Sequence, residues 1–288
     1  MKKITLFDIV LTVSLVLLAF ITLYPFWYVV VKSLLPMEVA LGDKFALWPK
    51  QISFDAYNYV FSSKELLGGF GVSVIVTVSV ILYQLAVTSL AAFALSKKDL
   101  PYRKIIFGFV VVTMFFGGGL IPYYLQIKRL GLIDNMLVLI LPHGITAYNL
   151  IIMKSFFENL PKELSEAAEI DGAGYVRIFL RICLPLSGAV LATIGLFVGV
   201  GAWNNWYPAM LYLNDRTMWP IAMFLREILI NSATEISGAD SAILTDKFML
   251  SESIKMAVIV VSMIPIVMIY PFVQKFFVKG VMLGAVKS

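Results

Sequence analysis

Six runs of apolar residues, at about 9–31, 72–95, 105–127, 136–153, 185–213 and 256–278, are each long enough to cross the roughly 30 Å hydrocarbon layer of a bilayer as a helix. No other feature constrains the chain as much. In lipid a backbone must satisfy its own N–H and C=O groups, so runs of this length predict helices. The fold class is therefore all-α, a polytopic membrane protein with six transmembrane helices. Composition agrees, because only 14% of the 288 residues are charged, against about a quarter in a soluble domain. The opening Met-Lys-Lys before an apolar run resembles a secretory signal. Residues 9–31 nonetheless exceed the ~7–15 residues of such a signal's apolar core, and no small-residue cleavage site follows. The segment reads as a retained first span.

Orientation follows from Lys and Arg. With the N-terminus inside, the cytoplasmic segments hold 13 of the 23 basic residues, among them Lys97, Lys98, Arg103, Lys104, Lys154 and Lys162. The others are spread over far more residues, including two long outer segments at 32–71 and 214–255. By density this places both termini in the cytoplasm. The net charge of +5 is read loop by loop and implies no nucleic-acid partner. No low-complexity tract or short repeat interrupts the sequence, which predicts one transmembrane domain over residues 1–288.

The inventory of reactive side chains is short. Cys183 is the one cysteine, which excludes a disulfide framework or a CxxC site and leaves a small core hydrophobe. His143, the one histidine, is also the one Asp, Glu, Lys, Arg or His in the apolar cores, Lys275 falling at the cytoplasmic end of the sixth run. An ion-coupled carrier needs intramembrane acids, bases or broken helices around its ion. A membrane hydrolase needs a nucleophile with a base, or a metal set. There is no metal-ligand cluster and no Gly-x-x-x-x-Gly-Lys-Ser/Thr phosphate loop. The chain thus reads as non-catalytic and without a cofactor of its own, and energy for transport has to come from another subunit. His143, in Leu-Pro-His-Gly, has two readings: a contact for a polar solute or gate, or a helix-bend histidine bonded to a carbonyl that Pro142 leaves free.

Between the fourth and fifth runs the sequence turns polar, EAAEIDGAGYVRIFLRICLPLS over residues 166–187. Pro161 suits the first turn of a helix. Glu163, Glu166 and Glu169 gather where the helix dipole favours acids. Leu164, Ala167, Ala168 and Asp171 recur at i, i+3, i+4 and i+7, giving a narrow face of small residues. Gly172 and Gly174 allow the positive φ that ends a helix sharply. A second short helix follows, with Val176, Phe179, Leu180 and Cys183 as an apolar stripe and Arg177 and Arg181 on another face, until Leu184-Pro185 turns the chain into the fifth span. A helix, a glycine elbow and a helix on the cytoplasmic side suit the docking of another protein. The same pattern also suits an amphipathic loop that only lies on lipid headgroups, a common arrangement.

These residues carry a resemblance. Glu166-Ala167-Ala168, then Gly172, Ile182 and Leu184-Pro185, resemble with every spacing intact the cytoplasmic signature of importer-type ABC permeases. FALWPKQISFDAYNYVF (45–61), GVGAWNNWYPAMLYLND (199–215) and KGVMLGAVKS (279–288) resemble the carbohydrate-uptake branch, and within it the six-span subunit of the maltose-type pair. MFFGGGLIPYYLQIKRLGLIDN (114–135) is closer to importers of complex or acidic oligosaccharides. Ser288 departs from a family tail that more often ends in glycine. The resemblance implies a permease subunit of a bacterial plasma membrane, forming half of the pore for an oligosaccharide. It implies a homologous second permease, a cytoplasmic ABC ATPase dimer carrying ATP and Mg, and an extracytoplasmic sugar-binding protein that meets loop 214–255. Residues 161–182 would be coupling helices, with Glu166, Ala167, Ala168, Asp171, Gly172, Arg177, Leu184 and Pro185 as the docking set, and residues 279–288 a tail reaching the ATPase dimer. Importers of polyamines or peptides share the docking signature, but the outer loop and tail argue against them. The empty charge inventory argues against an ion-coupled carrier.

Candidates for the solute path follow. Trp203-Asn204-Asn205-Trp206 supplies the planar amides and aromatic faces that sugars use, with Asn204 ahead of Asn205, and Tyr148-Asn149 repeats the pairing in the fourth run. Both also read as interhelical hydrogen bonds and interfacial aromatics. Gly195-x-x-x-Gly199 reads as a packing face. Gly117-Gly118-Gly119 with Pro122 is predicted to loosen the third helix.

Overall fold

The structure, a computed structural model, describes residues 5–36, 48–49, 51–236 and 252–285. All regular elements among the described residues are helical. Expectations for residues 45–47 and 50, for 237–251 of the outer loop, and for Ser288 lie outside them.

Among the described residues three helices are long and apolar enough to span alone: α1 (Leu6–Ser33), α3 (Lys64–Ser96) and α13 (Glu252–Ala285) over its part Glu252–Pro271. Helix α1 starts on a capping box, Thr5 and Asp8 each accepting from the other's backbone N–H at 3.3 and 2.8 Å, which satisfies two donors a helix start leaves free. The other three runs are bent pairs, making six spans when each pair is taken as one.

Each bend has a chemical cause. The third run divides into α4 (Arg103–Phe115) and α5 (Leu120–Arg129), which meet at 118°. Gly119 there takes φ +82°, a region open to glycine at no steric cost, so the three glycines break this helix outright. The fourth run begins as 3₁₀ turns at Met136–Leu139 and Leu141–His143 and bends 45° into α6 (Ala147–Glu158). Pro142 supplies no N–H at this bend. Gly144 lies close to the Tyr83 side chain: a Cβ there would stand 2.9 Å from its hydroxyl oxygen and displace it.

After α7 (Lys162–Ile170) the chain runs through α8 (Tyr175–Ile178), a π turn at Phe179–Cys183 and α9 (Leu184–Leu186), then bends 78° into α10 (Gly188–Trp203). Pro185 cannot donate to the carbonyl one turn back and crowds it. The wider π turn, with Leu184 N–H bonded to Phe179 O, relieves that conflict. The predicted turn at Leu184-Pro185 therefore falls later, at Ser187, whose buried hydroxyl donates to Cys183 O at 2.6 Å. Nor is 185–213 one helix: α10 stops at Trp203, and the short α11 (Tyr207–Tyr212) follows a break. The long outer segments are partly helical, with α2 (Asp55–Ser62), the first turns of α3, and α12 (Ile221–Ile236). These helices lack the uninterrupted apolar length by which spans are recognised. Helix α13 also continues past the expected end of the sixth span to Ala285.

The chain forms two compact units, residues 1–70 with 224–264 and residues 71–223 with 265–288. In the first, Lys32 at the end of α1 is buried and pairs with Glu252 at 3.6 Å, Ser33 Oγ lies 2.7 Å from Tyr57 Oη, and Trp27 packs on Trp48. In the second, Val80, Leu150, Met153, Ile178 and Ile194 are fully buried and make the centre of the core. Ile178 belongs to the polar segment singled out above, which is thereby seated on the core at its second helix.

Candidate functional site

The segment from α7 to α9 is built around one backbone conformation. Gly172 has φ +76°, its N–H donates to Glu169 O at 3.0 Å, and Ala173 N–H donates to Ala168 O at 2.9 Å. This is a Schellman closure, in which a left-handed residue lets the last carbonyls of a helix find donors. Gly174, also expected at positive φ, is extended at φ −72° and ψ 165°, so one glycine makes the elbow and the other only leaves it. Pro161 stands just before α7 at its N-cap. The small-residue face is divided by the closure. Ala168 and Ala173 are half-buried against the core, whereas Leu164, Glu166, Ala167, Asp171 and Gly172 are exposed. Nothing lies within 4 Å of where a Gly172 Cβ would be, so the elbow faces open space.

Polar and aromatic contacts hold the base of this element. Tyr175 Oη donates to Asp99 Oδ2 at 2.7 Å, and that bond holds the Asp99 carboxyl below its ordinary range. Lys97 lies 3.8 Å from Glu169 and over the rings of Phe93 at 5.2 Å and Tyr175 at 5.4 Å. The ion pair is exposed enough to contribute only about 0.2–1 kcal/mol. Packing contributes more: Phe93 meets Phe179 at 5.2 Å and Phe157 at 6.4 Å, and all three rings are buried. Beside them Glu158 accepts from Arg103 and from Lys154, the latter at 2.8 Å, while Arg103 Nε donates to Leu95 O at 2.7 Å. Sequence reasoning counted Lys97, Arg103 and Lys154 only as orienting charges and missed these bonds. The i, i+4 spacing of Lys154 and Glu158 was a readable signal; the pairing of Tyr175 with Asp99 had none.

Burial divides the apolar stripe of the second helix. Phe179 and Cys183 are buried with Ile178, whereas Val176 and Leu180 are exposed, and Val176, Phe179 and Leu180 together line one groove. Leu184 is half-buried and Pro185 exposed. Arg177 and Arg181 are exposed.

The solute-path candidates do not converge on one surface. Trp203 is buried, Asn204 exposed, Asn205 and Trp206 half-buried. Tyr148 is 58% exposed while the adjacent Asn149 is buried, so the pair points two ways. Asn204 Nδ2 donates to Val200 O at 2.9 Å, closing the end of α10. Asn205 Nδ2 lies 3.4 Å from His143 Nε2, a partner for His143 that the sequence did not disclose. The Gly195–Gly199 face packs on α3: a Cβ on Gly199 would come 2.9 Å from Ile81 Cδ1, and one on Gly195 3.4 Å from Leu85 Cδ1. Among the described residues no group of three or more His, Cys, Asp or Glu is placed to hold a metal.

No family model matches the chain. It is 44% identical over 283 residues to the polygalacturonan/rhamnogalacturonan transport system permease protein YtcP of Bacillus subtilis, covering 98% of this chain and 99% of that one. It is 42% identical to protein LplC of the same organism, over 93% of this chain and 90% of that one. Among solved structures, one from a bacterial ABC transporter involved in the import of the acidic polysaccharide alginate superposes with a TM-score of 0.85 at 28% identity, covering 96% of this chain and 98% of that one. These similarities run nearly end to end, over the bent spans and over the helix–elbow–helix segment alike. The chain belongs to the permease proteins of ABC sugar importers.

Proposed function

We propose that the chain forms half of the translocation pore of an ATP-driven importer of oligosaccharides, acidic ones foremost, and that a separate ATPase docks on α7 and the Gly172 elbow. The observation that carries this reading is the elbow itself: a capped helix end with exposed Glu166, Ala167 and Asp171, open above and tied to the core below. Glu166 serves as a polar anchor in an ATPase cleft, and Ala167 and Gly172 let that surface approach closely. Ala168, Leu184 and Pro185 act by shape, Ala168 through the Schellman closure and Pro185 through the π turn. ATP and Mg sit on the partner, and this chain contributes no catalytic group. When ATP binding closes the ATPase dimer, the element moves as a body, and Phe93, Lys97 and Asp99 pass its displacement to α3. Both termini face the cytoplasm of a bacterium, a homologous permease completes the pore, and a binding protein delivers the sugar outside. The acidic preference is supported by the named substrates of the YtcP and alginate systems. Within the pore, Asn205 with His143 is the pair we assign to contact with solute, ahead of Trp203, Asn204, Tyr148 and Asn149, which do not share a surface with one another.

Co-purification of the tagged chain tests the assembly: a second permease and an ATPase should accompany it, and recovery of the chain alone overturns the docking role. Proteoliposomes of the assembled importer with its binding protein then test the substrate, acidic oligosaccharides being taken up in preference to neutral ones of equal length. Equal uptake refutes the preference.

A further inference from the structure

We propose that the groove between the end of α3 and the π-turned helix is a binding site for an anionic phospholipid, with one acyl chain in the groove and the headgroup phosphate on Arg177 and Arg181. The groove encloses about 580 Å³, within the range of sites that hold small ligands. Its walls are apolar, from Leu90, Phe93 and Leu100 on one side to Val176, Phe179 and Leu180 on the other. Tyr175, Val176 and Leu180 also wall an adjoining open basin that includes Arg177 and Arg181. Both guanidinium groups are exposed, and neither makes an ion pair or hydrogen bond among the described residues, whereas Lys97 nearby is engaged by Glu169. A planar guanidinium matches phosphate oxygens in pairs, and basic pockets beside spanning helices on the cytoplasmic side are a recognised form of lipid site.

Depth favours a lipid over a protein occupant. Leu90 lies seven residues before Lys97 on a spanning helix, about 10 Å further along its axis, where an acyl chain reaches and the face of a soluble ATPase does not. The exposed Val176 and Leu180, which line the groove with Phe179, then belong to the acyl chain. The inference needs α3 to span a membrane; it does not need an ATPase to dock on α7.

The test uses the importer purified with its partner subunits, delipidated and placed in nanodiscs of phosphatidylcholine with a minor fraction of phosphatidylglycerol. Native mass spectrometry counts the lipid retained on each complex. Wild type should retain phosphatidylglycerol in preference to phosphatidylcholine. Arg181→Gln, outside the expected docking set, should lower that retention about fivefold, from about 1 kcal/mol for one basic residue at an anionic surface, with the ATPase still bound at full stoichiometry, and adding Arg177→Gln should bring the loss to about thirtyfold. Leu180→Trp, which fills the groove and leaves both arginines, should also displace the lipid. Loss of the ATPase from the double-arginine variant with lipid retention unchanged would overturn the proposal and assign the arginines to the protein partner. Retention unchanged in every variant with the complex intact would overturn it in favour of a groove covered by the second permease.

Discussion

Replacing Gly172 separates what the elbow needs for itself from what a partner needs of it. At φ +76° an alanine costs about 1 kcal/mol relative to glycine, because its Cβ crowds the following carbonyl. No packing cost is added, since nothing lies within 4 Å of the new Cβ. The two closing bonds, Gly172 N–H to Glu169 O and Ala173 N–H to Ala168 O, are backbone bonds that alanine retains. A cost of ~1 kcal/mol is roughly a fivefold shift toward an open elbow. Asparagine tolerates the left-handed region and should cost only a few tenths, whereas valine, β-branched, should cost about 2 kcal/mol or more.

The assay is sugar transported per ATP hydrolysed by the whole importer in proteoliposomes, with hydrogen exchange across residues 167–178 as a structural readout. Coupling should fall in the order glycine, asparagine, alanine, valine, and exchange should rise in the same order. Asp and Asn share a backbone preference, so a deficit of Gly172→Asp beyond Gly172→Asn isolates the effect of charge on the docked partner. If alanine couples as well as glycine while asparagine uncouples, side-chain size against the partner governs the site and the argument from backbone conformation is wrong.

Lys32→Met should destabilise the chain by about 2 kcal/mol, because it leaves Glu252 without its cation; the value is discounted from a fully buried pair since Glu252 is 28% exposed. Adding Glu252→Gln should recover part of the loss in thermal unfolding. Asp134 Oδ1 accepts from the N–H groups of Asn214 and Asp215 at 2.9 and 3.0 Å, with φ +55°; Asp134→Ala should cost about 1–2 kcal/mol and Asp134→Asn much less, as read by melting in detergent. Gly199→Val should overpack Ile81 and lower stability by about 1–3 kcal/mol, while Gly195→Ala, at ordinary contact with Leu85, should be nearly silent in the same melt. The Tyr175 hydroxyl holds the Asp99 carboxyl low, so this tether is complete above the ordinary carboxylate value of about 4 and is lost as pH falls through the depressed one. Hydrogen exchange over residues 172–180, corrected for intrinsic rate, should rise in that acid range and be raised already at neutral pH in Tyr175→Phe.

Hydropathy made the six spans legible because length and apolarity are properties of a window, and the bilayer imposes both. The bends were half legible. Gly117-Gly118-Gly119, Leu141-Pro142-His143-Gly144 and Leu184-Pro185 all marked trouble in a helix, but a window averages across them, and the size of each bend depends on which neighbours close the backbone. The Gly172 turn was readable because a left-handed helix end has a residue requirement. The burial of Ala168 was not, since it follows from where the closure places Ala173. Spacing put Val176, Phe179, Leu180 and Cys183 on one stripe but did not say which of them meet the core: Phe179 and Cys183 are buried and Val176 and Leu180 exposed, a division set by neighbouring elements that a 3.6-residue period does not contain.

A broken helix inside a membrane is tolerated only where its freed groups find partners, so polar side chains near each break are drawn first into repair. Ser187 repairs the bend before α10 through Cys183 O, and Asn204 closes the end of α10 through Val200 O. Gln84, buried in α3, donates to Thr146 at 3.2 Å beside the bend into α6. Of the two amides in Trp203-Asn204-Asn205-Trp206, Asn204 is therefore spoken for by its own helix. Asn205 bonds across to His143, a residue at another break, and this joins two discontinuous spans through side chains instead of backbone. Substrate sites in many transporters lie at discontinuous helices, so the proposed contact of Asn205 and His143 with solute would draw on the same groups that tie the two breaks together.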